Sequence, residues 1–331
     1  MGGEAMFEVI KAGLETAVQD YPGRIGYWNQ GFPPSGPMDS WSFRLANVLV
    51  GNEPGEAALE CQFVGPELRF HRDTVVAVTG GDMQPRLDGE PIELWTSVAV
   101  KKGQTLTLSY ARTGARGYIA IAGGIRTEPW LGSRSTFHKA GVGGFEGGAL
   151  KEGQQVPLGD AQGTPGLRVK DAARPTIVTD KRWLVEVTAG PNDDWLDEAG
   201  RKLFLETDWK LSPKSDRTGY RLDGPGDRIT FADKAINKRP EHGSIPSNII
   251  DQGYPNGAVN LAGETPIILV KDGPSMGGFI NPYTVPTVGF WKLGQARPGE
   301  VLRLTEISVD EAQKQAVEMT RICSGESLES A

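Results

Sequence analysis

The polar side chains best placed to bind a small molecule lie around a stiff turn near the N-terminus. Residues 31–39 read GFPPSGPMD, in which three prolines fix φ and two glycines permit conformations that other residues avoid. Asn29, Ser35 and Asp39 lie in or beside this segment, directly before a predicted helix, Ser40–Val50. Such a loop can hold polar groups still around a small polar ligand. The alternative is a proline-rich connection whose polar side chains bond only to their own backbone.

A second candidate is Arg134, in the segment LGSRSTFHKAGVGGFEGGAL of residues 131–150. Glycine is too frequent here for a packed helix, so we predict a loop that either wraps a ligand or lies over a neighbouring surface. The Arg134 guanidinium could hold a carboxylate or a carbonyl through a charge-assisted fork. It could equally be solvated or paired with a nearby acid.

A third group of candidates follows a predicted buried strand, TPIILV of residues 265–270, which leads into the charged, glycine-rich segment KDGPSMGGF of residues 271–279. A strand that ends in such a loop is a frequent place for a binding site. The segment 245–260 before it also reads as a loop. The polar residues of 245–260 are Asn248, Asp251, Tyr254 and Asn256. The candidates selected from the two segments are Lys271, Asp272, Ser275 and Tyr254.

Composition excludes several classes of function. A formal net charge of -7 over 331 residues argues against a nucleic-acid-binding surface. No apolar run approaches membrane-spanning length, and the first residues lack the features of a signal peptide, so no membrane contact is expected. Cys61 and Cys323 stand far apart, which suits a reducing cytoplasm. The three histidines lie at no metal-ligand spacing, so no metal site is predicted.

The elements that must position these residues are mostly strands. With 44 glycines and 23 prolines, the chain is typical of many short strands joined by tight turns, and we predict a mainly β protein with few helices. A polar segment with Gly and Pro marks a domain boundary, which gives an N-terminal subdomain at 1–165 and a C-terminal one at 176–308. Residues 309–331 are predicted to form a short helix followed by a frayed tail.

Three segments together resemble one family: GYWNQGFPPSGPMDSWSFRLANVLVGN of residues 26–52, LGSRSTF with GVGGFEGGAL, and KDGPSMGGF. They are similar to the biotin-dependent carboxyltransferases that include allophanate hydrolase subunit 2-like proteins, one of the subunits of bacterial 5-oxoprolinase, and half of the carboxyltransferase domain of urea carboxylase. The resemblance covers about residues 5–305. The GYWN, PPSGPMD and KDGPSMGGF matches lie closer to the urea carboxylase branch.

The resemblance implies two tandem cyclophilin-like β-barrel subdomains. It also implies the transfer of a carboxyl group from carboxybiotin to a nitrogen of a urea-like or other amide substrate. Under this hypothesis Asn29 and Asp272 bind the amide-like groups of the substrate. Lys271 and Arg134 stabilise developing negative charge. The remaining candidates line the substrate pocket, and they are Ser35, Asp39, Ser275 and Tyr254. Asp39 could instead act only as the cap of the helix that begins at Ser40.

The resemblance also implies partners. The chain shows no biotinylation sequence and no biotin carboxylase region, so biotin is expected to arrive on a separate carrier protein and not to be bound covalently here. It corresponds to one of two homologous halves, so a second carboxyltransferase subunit, allophanate hydrolase subunit 1-like, is expected together with a biotin carboxylase. Two alternatives stay open. The chain could be one of three subunits of an ATP-dependent 5-oxoprolinase, or a non-catalytic regulatory protein that binds a partner.

Three aromatic residues, Trp28, Phe32 and Trp41, cluster around the first candidate loop. They could belong to the core. They could also form part of an apolar surface for the homologous subunit, and we predict that such a surface lies next to the GYWN segment.

Overall fold

A computed structural model describes residues 6–224 and 229–331. The chain divides into two compact units. Unit 1 comprises residues 1–27, 34–177 and 319–331, and unit 2 comprises residues 28–33 and 178–318. Each unit therefore takes a short segment from the other half of the sequence.

Short strands dominate both units, which confirms the prediction of a mainly β protein with few helices. The strands of unit 1 are β1 Met6–Lys11, β2 Glu15–Gln19, β3 Ala58–Gln62, β4 Glu67–Phe70, β5 Thr74–Gly80, β6 Arg86–Leu87, β7 Glu90–Pro91, β8 Ser97–Val100, β9 Thr105–Thr107, β10 Arg116–Ile121, β11 Gln155–Pro157, β12 Leu167–Val169 and β22 Leu328–Ser330. Those of unit 2 are β13 Arg182–Ala189, β14 Trp209–Leu211, β15 Gly219–Asp223, β16 Asn248–Gly253, β17 Ala258–Ala262, β18 Thr265–Leu269, β19 Met276–Phe279, β20 Tyr283–Thr284 and β21 Val301–Glu306. The helices are α1 Ser40–Leu49, α2 Glu198–Glu206, α3 Asp233–Ile236, α4 Phe290–Gln295 and α5 Val309–Ile322.

Unit 1 contains two larger sheets, with strand orders β11-β1-β4-β9-β6-β7 and β2-β3-β10-β5-β8. One hydrophobic cluster takes side chains from both sheets, for example Phe70 from the first and Ile119 from the second. Because side chains alternate along a strand, the residues between those core positions face the other side. Glu60 and Tyr118 are such residues, and they form hydrogen bonds to the start of α1.

Helix α1 begins at the predicted Ser40 and ends at Leu49, one residue before the predicted Val50. Asp39 is its N-cap, and the side-chain carboxylate accepts from the backbone N–H groups of Trp41 and Ser42. Gly51, just beyond the C-terminus, has the left-handed φ of 79° that this position favours. The Phe43 ring packs edge-on against Tyr118 at a centroid distance of 5.8 Å, which fixes the helix on the sheet.

The C-terminal segment differs from the prediction of a frayed tail. Strand β22 pairs antiparallel with β12 in unit 1, and the Arg168 guanidinium lies 2.7 Å from the Glu329 carboxylate. The Cys323 thiol is buried and lies beside the Trp41 carbonyl. The prediction was wrong because it judged the segment by polarity alone, whereas strand pairing satisfies its backbone groups.

Unit 2 contains a closed barrel of seven strands in the order β13-β20-β17-β18-β15-β14-β21. The ring closes where β13 pairs parallel with β21, in register from Arg182 opposite Val301 to Val187 opposite Glu306. Large apolar side chains fill the unit, including Trp183, whose ring lies 6.1 Å from that of Trp291.

A two-stranded ribbon lies outside the barrel ring, made of β16 and β19. It corrects the prediction that residues 245–260 form a loop, because this segment contains all of β16 and the start of β17. The strand was missed because its burial does not alternate regularly and its pairing contains an irregularity between Asn248 and Gln252.

Within the described ranges, no helix has both the length and the apolar character needed to cross a bilayer.

Candidate functional site

The first candidate loop, residues 34–39, is held by side chains from the sheet of unit 1. The Glu60 carboxylate accepts from the Met38 N–H at 2.7 Å and from the Tyr118 hydroxyl at 2.8 Å. The Tyr118 oxygen in turn accepts from the Asp39 N–H at 2.8 Å. The Arg116 guanidinium lies 3.5 Å from Glu60, and both side chains are almost fully buried. Burial raises the pKa of Tyr118 well above its usual value, so the phenol stays a neutral donor.

Asp39 is committed to the structure of this loop. Besides capping α1, its carboxylate accepts from the Ser42 hydroxyl at 2.5 Å, and the residue is fully buried. Ser35 differs, because its buried hydroxyl has no hydrogen-bond partner among the described residues, and its backbone has a left-handed φ of 57°. Among the described side chains of this loop, the Ser35 hydroxyl is therefore the one without a hydrogen-bond partner.

Arg134 is fixed by its backbone and by its side chain. Its backbone N–H donates to the Asp20 carboxylate at 2.6 Å, and its Nε donates to the Thr127 carbonyl at 2.9 Å. The same carboxylate accepts from the hydroxyls of Ser133 and Ser135 at 2.5 and 2.6 Å. Asp20 thus organises the whole GSRS segment, in unit 1.

The glycine-rich segment packs on the chain next to Arg134. The Gly144 N–H donates to the Arg134 carbonyl at 3.0 Å. A Cβ on Gly143 would lie 2.1 Å from the Ser135 carbonyl oxygen, and one on Gly144 would lie 1.9 Å from the Thr136 hydroxyl. These contacts fold the glycine-rich part of the segment back onto residues 134–136, and both readings left open by the sequence stay predictions.

The loop that follows β18, residues 271–275 of unit 2, contains a buried ion pair. The Arg217 Nε donates to Asp272 Oδ2 at 3.0 Å, and the Asp272 N–H donates to the Arg217 carbonyl at 2.7 Å. Asp272 is 5% exposed and Arg217 is 7% exposed. The other carboxylate oxygen, Oδ1, is buried without a hydrogen-bond partner among the described residues. A buried carboxylate oxygen without a donor is costly, so this atom is suited to receive one from a ligand.

Lys271 lies beside this carboxylate in sequence and is 8% exposed. Its ammonium lies 4.7 Å from the centre of the Phe290 ring, within the range of a cation–π contact. The loop thus contains a buried cation and a buried acceptor at consecutive positions.

The ribbon next to this loop explains the position of Tyr254. Its phenol donates to the Phe279 carbonyl at 2.9 Å and accepts from the Phe279 N–H at 2.6 Å. Burial raises its pKa, so the hydroxyl remains a donor at neutral pH. With both functions used, Tyr254 fastens the ribbon. The partly buried Ser275 follows the same pattern, since its carbonyl accepts from the Tyr254 N–H at 2.8 Å.

Unit 2 contains further buried acceptors without a partner among the described residues. Their side-chain oxygens are buried and unpaired among the described residues, and they belong to Ser247, Asn248, Asn256 and Asn260. Asn260 and Ala258 lie on one face of β17, and Ala258 packs with Tyr254 and Leu269. An excess of buried acceptors favours a ligand that is rich in N–H donors.

Asn29 lies in a single helical turn, Trp28–Gln30, and its side chain is exposed. The structure assigns it to unit 2 together with Lys271, Asp272, Ser275 and Tyr254. It assigns Ser35, Asp39 and Arg134 to unit 1. The eight candidates are therefore divided between two units. Trp41 is half-buried, and its indole N–H donates to the Ala173 carbonyl at 3.0 Å in unit 1.

Four residues that organise these loops were missed from the sequence, namely Asp20, Glu60, Tyr118 and Arg217. Each acts on a segment far along the chain, as Arg217 does on a residue 55 positions away. Only the strand pairing that brings these segments together could have revealed them. In residues 6–224 and 229–331, no cluster of His, Cys, Asp and Glu could hold a metal ion.

Biotin is the cofactor that the family resemblance implies, and its reacting part is a ureido group. A ureido group presents both N–H donors and a carbonyl oxygen. The unpaired Asp272 oxygen matches the donors, and the Lys271 ammonium matches an oxygen that gains negative charge. The residues present therefore fit a ureido compound, whether substrate or biotin ring.

Comparison with known proteins places this geometry in a family. Residues 30–306 match the family described as carboxyltransferase domain, subdomain A and B. The chain is 40% identical to urea amidolyase from Lachancea kluyveri over 319 residues, which cover 93% of this chain and 17% of that protein. It is 32% identical over 311 residues to a 5-oxoprolinase subunit from Escherichia coli, covering 93% and 94% of the two chains.

The fold agrees with these matches. The crystal structure of the Kluyveromyces lactis urea carboxylase superposes with a TM-score of 0.89 at 37% identity, covering 99% of this chain and 30% of that one. This chain thus spans less than a third of the length of the urea amidolyase and urea carboxylase relatives named here. The match over most of its length shows that the chain belongs to the carboxyltransferase-domain family.

Proposed function

We propose that this chain is a carboxyltransferase subunit that transfers a carboxyl group from carboxybiotin, carried on a separate protein, to a nitrogen of a urea-like or other amide substrate. The observation that carries the proposal is the buried Asp272 Oδ1, which lacks a donor among the described residues, in a loop whose preceding residue, Lys271, is also buried. Urea offers N–H donors to the first and a carbonyl oxygen to the second. Carboxybiotin, when bound, supplies the carboxyl group.

Each residue then has a defined task. Asp272 accepts an N–H of the substrate and so orients the nitrogen that is carboxylated. Lys271 stabilises the negative charge that develops on oxygen during transfer, where a fixed cation in a buried site is most effective. Asn29 offers an amide that can both donate and accept. Arg134 is held by Asp20 and Thr127, and we propose that its remaining N–H groups contact a carboxylate.

The other four candidates shape the pocket in two different ways under this proposal. Ser35 retains a buried hydroxyl for a ligand. Asp39, Ser275 and Tyr254 contribute through the backbone conformation that they or their hydrogen bonds maintain.

Partners complete the reaction. The urea amidolyase and urea carboxylase relatives contain this domain as 17% to 30% of much longer chains. We propose that a homologous carboxyltransferase subunit, a biotin carboxylase and a biotin carrier supply the remaining functions as separate proteins. Both cysteines are free, in keeping with a cytoplasmic complex.

The test is reconstitution. The chain is mixed with the homologous subunit, the carboxylase and the biotinylated carrier. Carboxybiotin is formed with ATP and bicarbonate, and its urea-dependent consumption is followed. Turnover is expected only when all components are present. Robust ATP-dependent carboxylation by this chain alone would contradict the proposal.

A second function is favoured by one observation. The match to the Escherichia coli 5-oxoprolinase subunit covers 94% of that protein, so a free-standing chain of this length is known as a subunit of that enzyme. Replacing urea by 5-oxoproline in the same assay separates the two. Turnover of 5-oxoproline without any requirement for biotin would favour the second function, and inactivity with both substrates would favour a regulatory role.

A further inference from the structure

We propose that Arg217 is a positioning residue that holds the Asp272 carboxylate so that Oδ1 points to the substrate N–H. The inference rests on the proposed function, because Asp272 is the residue that accepts the substrate N–H in the proposed reaction. Arg217 belongs to none of the three segments that carry the family resemblance, and it precedes β15 in a turn.

The first argument is geometric. Asp272 is attached to Arg217 twice, through the 3.0 Å contact from Nε to Oδ2 and through the 2.7 Å bond from its own N–H to the Arg217 carbonyl. Two attachments at one residue fix both the backbone and the side chain of Asp272. The side chain can then no longer rotate to exchange its two oxygens.

The second argument is electrostatic. An isolated carboxylate that is 5% exposed is strongly disfavoured unless a cation compensates it. Arg217 supplies that charge. Its Nε donates to Oδ2, whereas Oδ1 has no donor among the described residues. The buried carboxylate thus has a counter-charge on one oxygen while its second oxygen is left for a ligand, which is the requirement for binding an N–H group.

The third argument concerns local packing. Gly273 follows Asp272, and a Cβ at this position would lie 3.0 Å from the Val270 carbonyl oxygen and 3.1 Å from the Thr218 carbonyl oxygen. The turn after Asp272 is therefore packed against the residue that follows Arg217. A tight turn of this kind limits the freedom of the carboxylate from the backbone side.

The experiment compares Arg217→Met, Arg217→Lys and the control Arg221→Met in the reconstituted complex with urea. Arg221 lies four positions away in β15 and its side chain is exposed. We expect Arg217→Met to lower kcat/KM about 10²-fold, since a misplacement of about 1 Å has effects of this size. The KM for urea should rise while the KM for the biotinylated carrier stays constant. Arg217→Lys should recover part of the loss, and Arg221→Met should match the wild type.

A purely structural role gives a different result. It reduces the folded fraction and hence the apparent kcat, and it leaves both KM values unchanged. That pattern, or wild-type kinetics in folded Arg217→Met, would overturn the proposal.

A readout without turnover separates this proposal from the proposed function. Crystal structures of the two Arg217 variants should show the Asp272 carboxylate displaced by about 1 Å in Arg217→Met and retained in Arg217→Lys. If the wild-type complex does not consume urea, the proposed function fails, and these structures still decide the role of Arg217. An unmoved carboxylate in Arg217→Met would overturn it. If Arg217→Met does not fold, Arg217→Lys decides: an unmoved carboxylate supports the proposal, and a displaced one overturns it.

Discussion

The two polar loops of this protein look alike in sequence and differ in how their carboxylates are used. Both are short, rich in Gly and Pro, and contain one aspartate. In unit 1 the Asp39 carboxylate accepts from two backbone N–H groups and from one hydroxyl. In unit 2 the Asp272 carboxylate is held through one oxygen, and the other has no donor among the described residues. Residue type and spacing indicate both loops as sites, whereas hydrogen-bond saturation distinguishes a structural carboxylate from one available to a ligand.

The largest expected effect tests this distinction directly. Asp272→Asn should lower turnover of the reconstituted complex about 10²-fold, because an amide replaces an anionic acceptor. It should also cost about 2 kcal/mol of unfolding free energy, since Arg217 loses its buried counter-charge. The matched variant Asp39→Asn keeps an N-cap acceptor, so we expect less than about 1 kcal/mol and a much smaller loss of turnover. Steady-state kinetics and denaturation by guanidinium chloride measure both. If Asp39→Asn lowered turnover more than Asp272→Asn, the loop of unit 1 would contain the functional carboxylate and the loop of unit 2 the structural one.

The next effect concerns the side chain that fastens the loop of unit 1. Glu60→Gln should reduce the unfolding free energy by about 2 kcal/mol, because Arg116 loses a buried anion and the Tyr118 phenol loses a charged acceptor. Hydrogen exchange at the Met38 and Asp39 amides should accelerate. Glu90 is exposed on β7 and provides the control, Glu90→Gln, for which we expect no measurable change. Unchanged protection at residues 38 and 39 in Glu60→Gln would show that the loop is held in another way.

A smaller effect is expected in the glycine-rich segment of unit 1. Gly144→Ala forces a Cβ into the Thr136 hydroxyl at a left-handed φ of 57°, and we expect a loss of about 1 to 2 kcal/mol. A Cβ on Gly148 meets no atom within 4 Å, so Gly148→Ala is the matched control and should be near neutral. The melting temperatures of both variants are measured by thermal unfolding. Equal melting temperatures would mean that the segment does not rest on residues 134–136.

The smallest expected effect is that the two cysteines of the folded protein do not react with an alkylating reagent. Burial raises the pKa of both cysteine thiols, Cys61 and Cys323, to about 12. A thiol with a raised pKa is protonated below that value, and only the thiolate reacts. At a pH of about 8, below that raised pKa, neither cysteine should be alkylated in the folded protein. Both cysteines should be alkylated once the protein is unfolded in denaturant. Mass spectrometry after iodoacetamide treatment measures this. Rapid labelling of native protein would show that unit 1 opens at Cys61 or at the Cys323 contact with Trp41.

Local chemistry accounts for what the sequence predicts well. Neighbouring residues predict a cap at Asp39, a left-handed C-terminal Gly51 and a hairpin turn at Asp88-Gly89. All three are found, the turn between β6 and β7. The sequence also predicts one helix over residues 193–205, whereas α2 begins at Glu198. The reason is local too, since Asp197 caps it and a separate helical turn, Asp193–Trp195, precedes it.

The site could be predicted only as far as its loops. The ion pair at Asp272 requires β15 beside β18, and the role of Glu60 requires β3 beside β10. No residue near either loop indicates these contacts, because long-range strand pairing creates them. Tyr254 shows the opposite error, since a polar residue in a predicted loop is fully used in fastening a ribbon.

The pairing of β12 with β22 constrains the order in which the protein can be completed during synthesis. Leu328 is translated 159 residues after Val169, so one edge of unit 1 has no partner until unit 2 has been translated. An exposed strand edge invites pairing with other chains in the meantime. A ribosome stalled in the last helix would therefore display an N-terminal unit with an open edge, and a truncated fragment ending near residue 177 should aggregate unless a peptide of residues 319–331 is supplied.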